Sequence, residues 1–182
     1  MKLCGIDEAG RGPLAGPLVM AGVILNTPIA GLNDSKKLSE KKREILYDLI
    51  IENSSYKIVR FSAEYLDMHG LSSCLKKGLE TILNSLKAED YLFDGNSKFG
   101  ISGLRTLIKA DALIPEVSAA SILAKVSRDR EMVAIDPLYP NYGFAGHKGY
   151  GTTAHVQAIV KYGYCEIHRK SFKLKSLQGS LF

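Results

Sequence analysis

KLCGIDEAGRGPLAGPLVMAGVIL, residues 2–25, holds two short apolar runs, Lys2–Asp7 and Leu18–Leu25, on either side of the glycine-rich segment GRGPLAGP. Apolar runs of this length bounded by glycine and proline are strand signals, so the stretch reads as two strands joined by a loop. Beyond it, Ser39 is placed to cap a helix running through Leu49 and Ile50, with Ile45, Leu46, Leu49 and Ile50 at helical spacing and Glu40 in the first turn. Tyr56–Phe61 is a β-branched and aromatic strand candidate, and Leu71, Leu75, Leu79, Ile82, Leu83 and Leu86 form the clearest amphipathic helix. Tyr91–Asp94 and Thr106–Ala110 read as further strands, the second ending at Asp111. Pro115 opens a small-residue helix, Val117 to about Met132, and Thr152 or Thr153 caps a last one that stops at Gly163. Early strands followed by strand–helix alternation predict the α/β class, a mixed sheet flanked by α-helices.

The 182 residues, 46% hydrophobic and 24% charged, fit a single domain, 1–182, without internal repeat or linker. No run approaches the roughly 18 apolar residues of a membrane span, and no secretory signal is visible at the N-terminus, so a cytoplasmic location is expected. Cys4, Cys74 and Cys165 form no CxxC pair and read as reduced thiols. The formal charge of +5 and pI near 9.0 suit a polyanionic partner. The excess is concentrated in Lys36, Lys37, Lys41, Lys42 and Arg43, and again in His168, Arg169, Lys170, Lys173 and Lys175; solvated faces are the ordinary reading of such clusters. The basic segment 165–182 is a candidate helix, and a frayed tail fits its sequence equally well.

The expected strands end in carboxylates: Asp7-Glu8, Asp94 and Asp111. Taken singly, an acid after a strand is most often a turn-former or cap. Strand ends in open α/β sheets, however, converge on sites. Four carboxylates gathered at one edge would repel one another and raise their own pKa values unless cations intervene. An all-oxygen set selects Mg2+ or Mn2+ over zinc, and two such ions clamp both oxygens of a phosphodiester under attack. Asp7 and Glu8 point to opposite faces of a strand, so they share a site only if the strand ends there. His69, His147, His155 and His168 show no tight ligand spacing. His69 and His155 are read as structural or surface residues, and His147 and His168 as weaker candidates for phosphate contact. GRGPLAG lacks a Walker lysine and does not match GxGxxG, which excludes a phosphate-cradling NTPase loop.

GIDEAGRGPLAGP at 5–17 and DSKKLS at 34–39 together resemble bacterial ribonuclease HII, the type-two ribonuclease H family. FDGN at 93–96, KADA at 109–112, SAASILAKVSRDR at 118–130, YPNYGFAGHKGYGT at 139–152 and HRKSF at 168–172 follow in the family's order. The resemblance implies a ribonuclease H-like fold and an endonuclease that cuts RNA in RNA–DNA hybrids and nicks 5' of single ribonucleotides in duplex DNA, leaving 3'-hydroxyl and 5'-phosphate ends. It implies Asp7, Glu8, Asp94 and Asp111 as catalytic, metal-binding carboxylates for a two-ion Mn2+ or Mg2+ site. Gly10, Arg11 and Gly12 would sense the ribose 2'-hydroxyl, Lys36 and Lys37 would meet backbone phosphates, and Tyr150 would pack on the sugar of the following deoxynucleotide. Ala110 stands where many relatives have glycine, a departure confined to local geometry. Ser118, Ser121 and Lys125 are candidates to face the site, and Asp129 is read chiefly as pairing with Arg128, Arg130 or another structural partner. A monomer is expected, with neither membrane association nor an N-terminal accessory domain. The competing readings are a binding protein that has lost its chemistry, which the intact acidic quartet opposes, and a small-molecule phosphatase, which has no need of the lysines or the GRG loop.

Overall fold

The computed structural model describes residues 2–32 and 37–172. Lys36 and the stretch 173–182 of the basic C-terminal segment lie outside them, and 165–172 form no helix. In chain order the elements are β1 (Leu3–Ala9), β2 (Leu18–Leu25), α1 (Glu40–Asn53), β3 (Ser54–Phe61), α2 (Ala63–His69), α3 (Leu71–Ser85), β4 (Asp90–Asp94), β5 (Leu104–Leu107), α4 (Pro115–Ile135), α5 (Phe144–His147) and α6 (Thr153–Tyr162). Short 3-10 turns occupy Ala110–Ala112 and Asp136–Leu138. The sheet is mixed, in the order β3-β2-β1-β4-β5: β1, β2 and β3 pair antiparallel, and β4 joins β1 in parallel, as β5 joins β4.

Both faces of the sheet are covered, so β2 is buried along nearly its whole length. On one face Cys4, Ile6, Leu18 and Met20 pack with Leu75, Leu79 and Ile82 of α3 and Phe93 of β4. On the other, Val19, Ala21 and Val23 meet Ile50 of α1 and Ala119, Ala120 and Leu123 of α4. The small residues of α4 let its axis lie close to β1. Gly5 is glycine for the same reason, since a Cβ there would stand 2.2 Å from the carbonyl carbon of Glu116. Capping proceeds as the sequence indicates: Ser39 accepts from Lys42 N–H, and Thr152, not Thr153, accepts from His155 N–H. Ser62 caps α2, a helix the apolar pattern did not mark, and Gly70 at φ 80° separates it from α3.

One expected strand is corrected. The chain leaves the sheet after Leu107, and Lys109 adopts the left-handed region at φ 61°, rare for a residue with a Cβ. Asp111 therefore sits on a 3-10 turn and not at a strand end.

Candidate active site

Parallel pairing of β1 with β4 sets Ile6 opposite Phe93, so the residues that follow, Asp7 and Asp94, come side by side. Asp111 reaches the same point through the left-handed turn. The N–H groups of Lys109 and Asp111 donate to the two oxygens of Asp94, at 3.0 and 3.2 Å, and so tie the turn to the end of β4. One carboxylate oxygen from each of Asp7, Asp94 and Asp111 lies within 4.8 Å of the other two. They open onto a cleft of about 650 Å3, which Glu8, Gly10, Arg11, Gly12, Ser121, Lys125 and Tyr150 also line.

Glu8 stands beside the three aspartates. Both Asp7 and Glu8 line the cleft although they alternate along β1, which stays paired with β2 through Ala9. Glu8 Oε1 pairs with the Arg11 guanidinium at 2.8 Å, while Oε2 is buried without a hydrogen-bond partner. Asp7 accepts from Glu8 N–H at 2.8 Å and from the Ser121 side chain. Burial pushes the Asp7 carboxyl well above its ordinary range, and the charges of Glu8 and Asp94 add to the rise. Burial raises Glu8 too, with Arg11 opposing and Asp94 reinforcing. An acidic pocket under this electrostatic load is stabilised by a cation, and its donors are all oxygens. The set suits a hard divalent ion held by Asp7, Asp94 and Asp111 with Glu8 adjacent.

The GRG loop is built from both ends. Gly10 takes φ 93°, and a Cβ there would meet Arg128 Nε at 2.4 Å, so backbone and packing both demand glycine. Nothing among the described residues lies within 4 Å of a Cβ at Gly12, and its φ is not positive. Its bare backbone is left open to the cleft. Tyr150 is 39% exposed, and its ring lies against Lys125 (5.6 Å) and Arg128 (5.2 Å). Lys125 pairs with Asp129 at 2.8 Å, so the partner of Asp129 is neither neighbouring arginine. Arg130 instead pairs with Glu44. Ser118 is buried and does not line the cleft, whereas Ser121 and Lys125 do. Lys37 is exposed, and Lys36 lies outside the described residues.

The expectation for His147 and His168 is corrected, while His69 and His155 take the surface and structural places expected of them. His168 is 1% exposed and His147 is partly buried, and both spend their ring nitrogens inside the protein, which removes them as phosphate contacts. His155 is fully buried, and His69 is exposed with its ring on Tyr65. Sequence reading also missed two buried arginines behind the loop. Arg128 donates to Pro17 O (2.9 Å) and Ala15 O (3.1 Å), and Arg169 to Gly16 O (2.9 Å), Pro17 O (2.9 Å) and Arg11 O (3.2 Å). Their places within SRDR and HRKSF are the only signal, and that signal does not separate a buried arginine from a surface one.

The ribonuclease HII family model matches residues 4–175. A ribonuclease HII of Campylobacter hominis is 65% identical over 183 residues, covering all of this chain and 99% of that protein. One from Sulfurovum sp. (strain NBC37-1) is 63% identical over 175 residues, 96% of this chain and 93% of the relative. Among solved structures, the Archaeoglobus fulgidus ribonuclease HII in its complex with PCNA superimposes with a TM-score of 0.82 at 30% identity, covering 96% of each chain.

Proposed function

The chain belongs to the ribonuclease HII family and is a ribonuclease H hydrolase. From that premise we propose that it hydrolyses the RNA strand of RNA–DNA hybrids and nicks duplex DNA on the 5' side of an embedded ribonucleotide, with two Mn2+ or Mg2+ ions. The observation that carries the reading is the convergence of Asp7, Asp94 and Asp111 within 4.8 Å in an open cleft beside a bare glycine backbone.

Asp7, Asp94 and Asp111, with Glu8 beside them, would hold the ions. When bound, these supply Lewis acidity to the scissile phosphate and lower the pKa of the attacking water. The protein's own contribution is placement. The N–H groups of Lys109 and Asp111 hold the Asp94 carboxylate in one orientation, and Glu8 N–H and Ser121 hold that of Asp7. Arg11 pairs with one oxygen of Glu8, and the other is buried without a hydrogen-bond partner among the described residues. Gly10, Arg11 and Gly12 would present backbone to the ribose 2'-hydroxyl, the group that separates RNA from DNA locally. Tyr150 would pack on the next deoxyribose, while Lys36 and Lys37 would meet phosphates and carry no sequence information. No helix among the described residues is long and apolar enough to cross a membrane. A monomer acting in the cytoplasm on nucleic acid completes the proposal.

The deciding experiment incubates the protein with duplex DNA bearing one ribonucleotide, with Mg2+, Mn2+ or chelator, beside all-DNA and long-hybrid controls, and maps the cut ends. The expected product is a metal-dependent nick 5' of the ribonucleotide with 3'-hydroxyl and 5'-phosphate ends. A cut long hybrid beside an intact single-ribonucleotide duplex would overturn the nicking activity, and intact duplexes of both kinds would overturn the chemistry.

A further inference from the structure

His168 and Arg169 are consecutive, both 1% exposed, and they reach in different directions. Arg169 distributes its guanidinium over the carbonyls of Arg11, Gly16 and Pro17, while its own N–H donates to Leu14 O at 2.8 Å. Every one of these acceptors belongs to the loop that carries Gly10–Gly12. No carboxylate among the described residues pairs with it, so its donors serve the loop alone.

His168 leads to Tyr150 through a second histidine. Its Nδ1 accepts Cys165 N–H at 2.9 Å, which leaves the proton on Nε2. That Nε2 faces His155 Nε2 at 3.0 Å, and His155 Nδ1 lies 2.9 Å from Tyr150 O, an atom that can only accept. A single set of neutral tautomers satisfies the chain: Cys165 N–H to His168, His168 Nε2–H to His155, His155 Nδ1–H to Tyr150 O. The segment is itself tethered by Asp67 of α2, which accepts from Lys170 N–H (2.8 Å) and from the N–H and hydroxyl of Ser171 (3.1 and 2.5 Å).

We propose that His168–Arg169 is a positioning pair, with Arg169 setting the GRG loop and His168, through His155, setting Tyr150, so that one short segment aligns both substrate-facing parts of the cleft. This rests on the reading that Gly10–Gly12 and Tyr150 face the nucleic acid. Neither side chain touches a carboxylate of the acidic site, so the pair governs how substrate is held and leaves metal binding alone.

The test compares Arg169→Gln, Arg169→Lys, His168→Leu and His168→Gln with the wild-type chain. It measures KM and kcat on a duplex with one ribonucleotide, relative binding of that duplex and its all-DNA counterpart, Mn2+ affinity by calorimetry, and thermal melting. Both Arg169 variants should raise KM by about 10–100-fold with a smaller fall in kcat and unchanged Mn2+ affinity, because lysine cannot reproduce the three-carbonyl fork. His168→Leu should do the same, and His168→Gln, which keeps a donor where Nε2–H stands, should recover most of the loss. Folded variants with wild-type KM and wild-type ribose preference would overturn the proposal, as would a joint loss of kcat and Mn2+ affinity. Should the buried variants fail to fold, Asp67→Ala decides: it loosens the tether from a partly buried position, and an unchanged KM would overturn the pairing. A wild-type enzyme that binds both duplexes equally would overturn the underlying reading of the face, an outcome distinct from variants that match a discriminating wild type.

Discussion

Two buried charged groups lie on either side of the GRG loop and are satisfied in opposite ways. In front of it, Asp7, Asp94 and Asp111 crowd together; N–H groups and a hydroxyl answer part of the charge of Asp7 and Asp94, and the Asp7 carboxyl is still driven upward. Behind it, Arg128 and Arg169 are buried without an ion pair among the described residues, yet five of their hydrogen bonds go to backbone carbonyls. Burial, with the neighbouring Arg128 charge, lowers the Arg169 pKa to about 9, still charged at neutral pH. The Asp7 carboxyl stays under a repulsion from Glu8 and Asp94 that a cation can relieve. The arginines are already complete apart from Arg128 Nη1, and what they hold is the chain. A functional site thus carries its electrostatic cost openly, whereas a supporting site spends its charge on geometry.

The strongest test of that contrast is Asp94→Asn. It should lower cleavage by about 100-fold or more while duplex binding persists, since it removes charge stabilisation at the reacting phosphate; gel-shift and turnover assays on one preparation check this, and near-wild-type turnover would break the contrast. Lys36→Ala with Lys37→Ala should weaken binding to every duplex alike. The log–log salt dependence of affinity should flatten by about 2, roughly one per lost phosphate contact, and an unchanged slope would return these lysines to a solvated face.

Stability should move in opposite directions on the two sides of the loop. Arg128→Gln, which takes its donors from the Ala15 and Pro17 carbonyls and leaves Pro17 O to Arg169 alone, should cost about 2 kcal/mol or more in denaturant unfolding. Asp7→Asn, measured without metal, should raise the melting temperature by a few degrees. The sign follows from linkage: a carboxyl raised in the folded state opposes folding above its unfolded pKa of 3.8, and an amide removes that penalty at neutral pH. Added Mn2+ should stabilise wild type and leave Asp7→Asn nearly unmoved.

The smallest effect belongs to the histidine pair. Burial and the neighbouring His155 hold His168 down to about 4 from an ordinary 6.5, and burial lowers His155 too. Both are neutral when folded, so the unfolded chain takes up protons first as pH falls. The pair's own contribution should be flat above pH 6.5 and decline between about 6.5 and 4, and the difference between wild type and His168→Gln in melting curves across this range should isolate it.

Much of this molecule is legible in one dimension. Apolar periodicity and capping residues marked α1, α3 and α4, because the helical repeat and the Ser39 cap are local properties. The acids of β1 and β4 drew notice through their place after short apolar runs. Where local signals compete, the sequence was a poorer guide: Thr106–Ala110 has the composition of a strand, yet Lys109 turns it out of the sheet so that two N–H groups can hold Asp94. The motif HRKSF resembled a basic surface patch until His168 and Arg169 proved buried.

What the sequence determined by itself was most of the helices and strands, the family likeness and the candidacy of the carboxylates, since each depends on residue type and spacing along the chain. Only the tertiary structure decided that Glu8 stands beside the three aspartates, that Asp111 arrives on a turn, and that Arg169 braces a loop some 155 positions earlier. Those facts depend on strand register and on where buried donors find carbonyls. Distances across the fold settle both, and no local pattern encodes them.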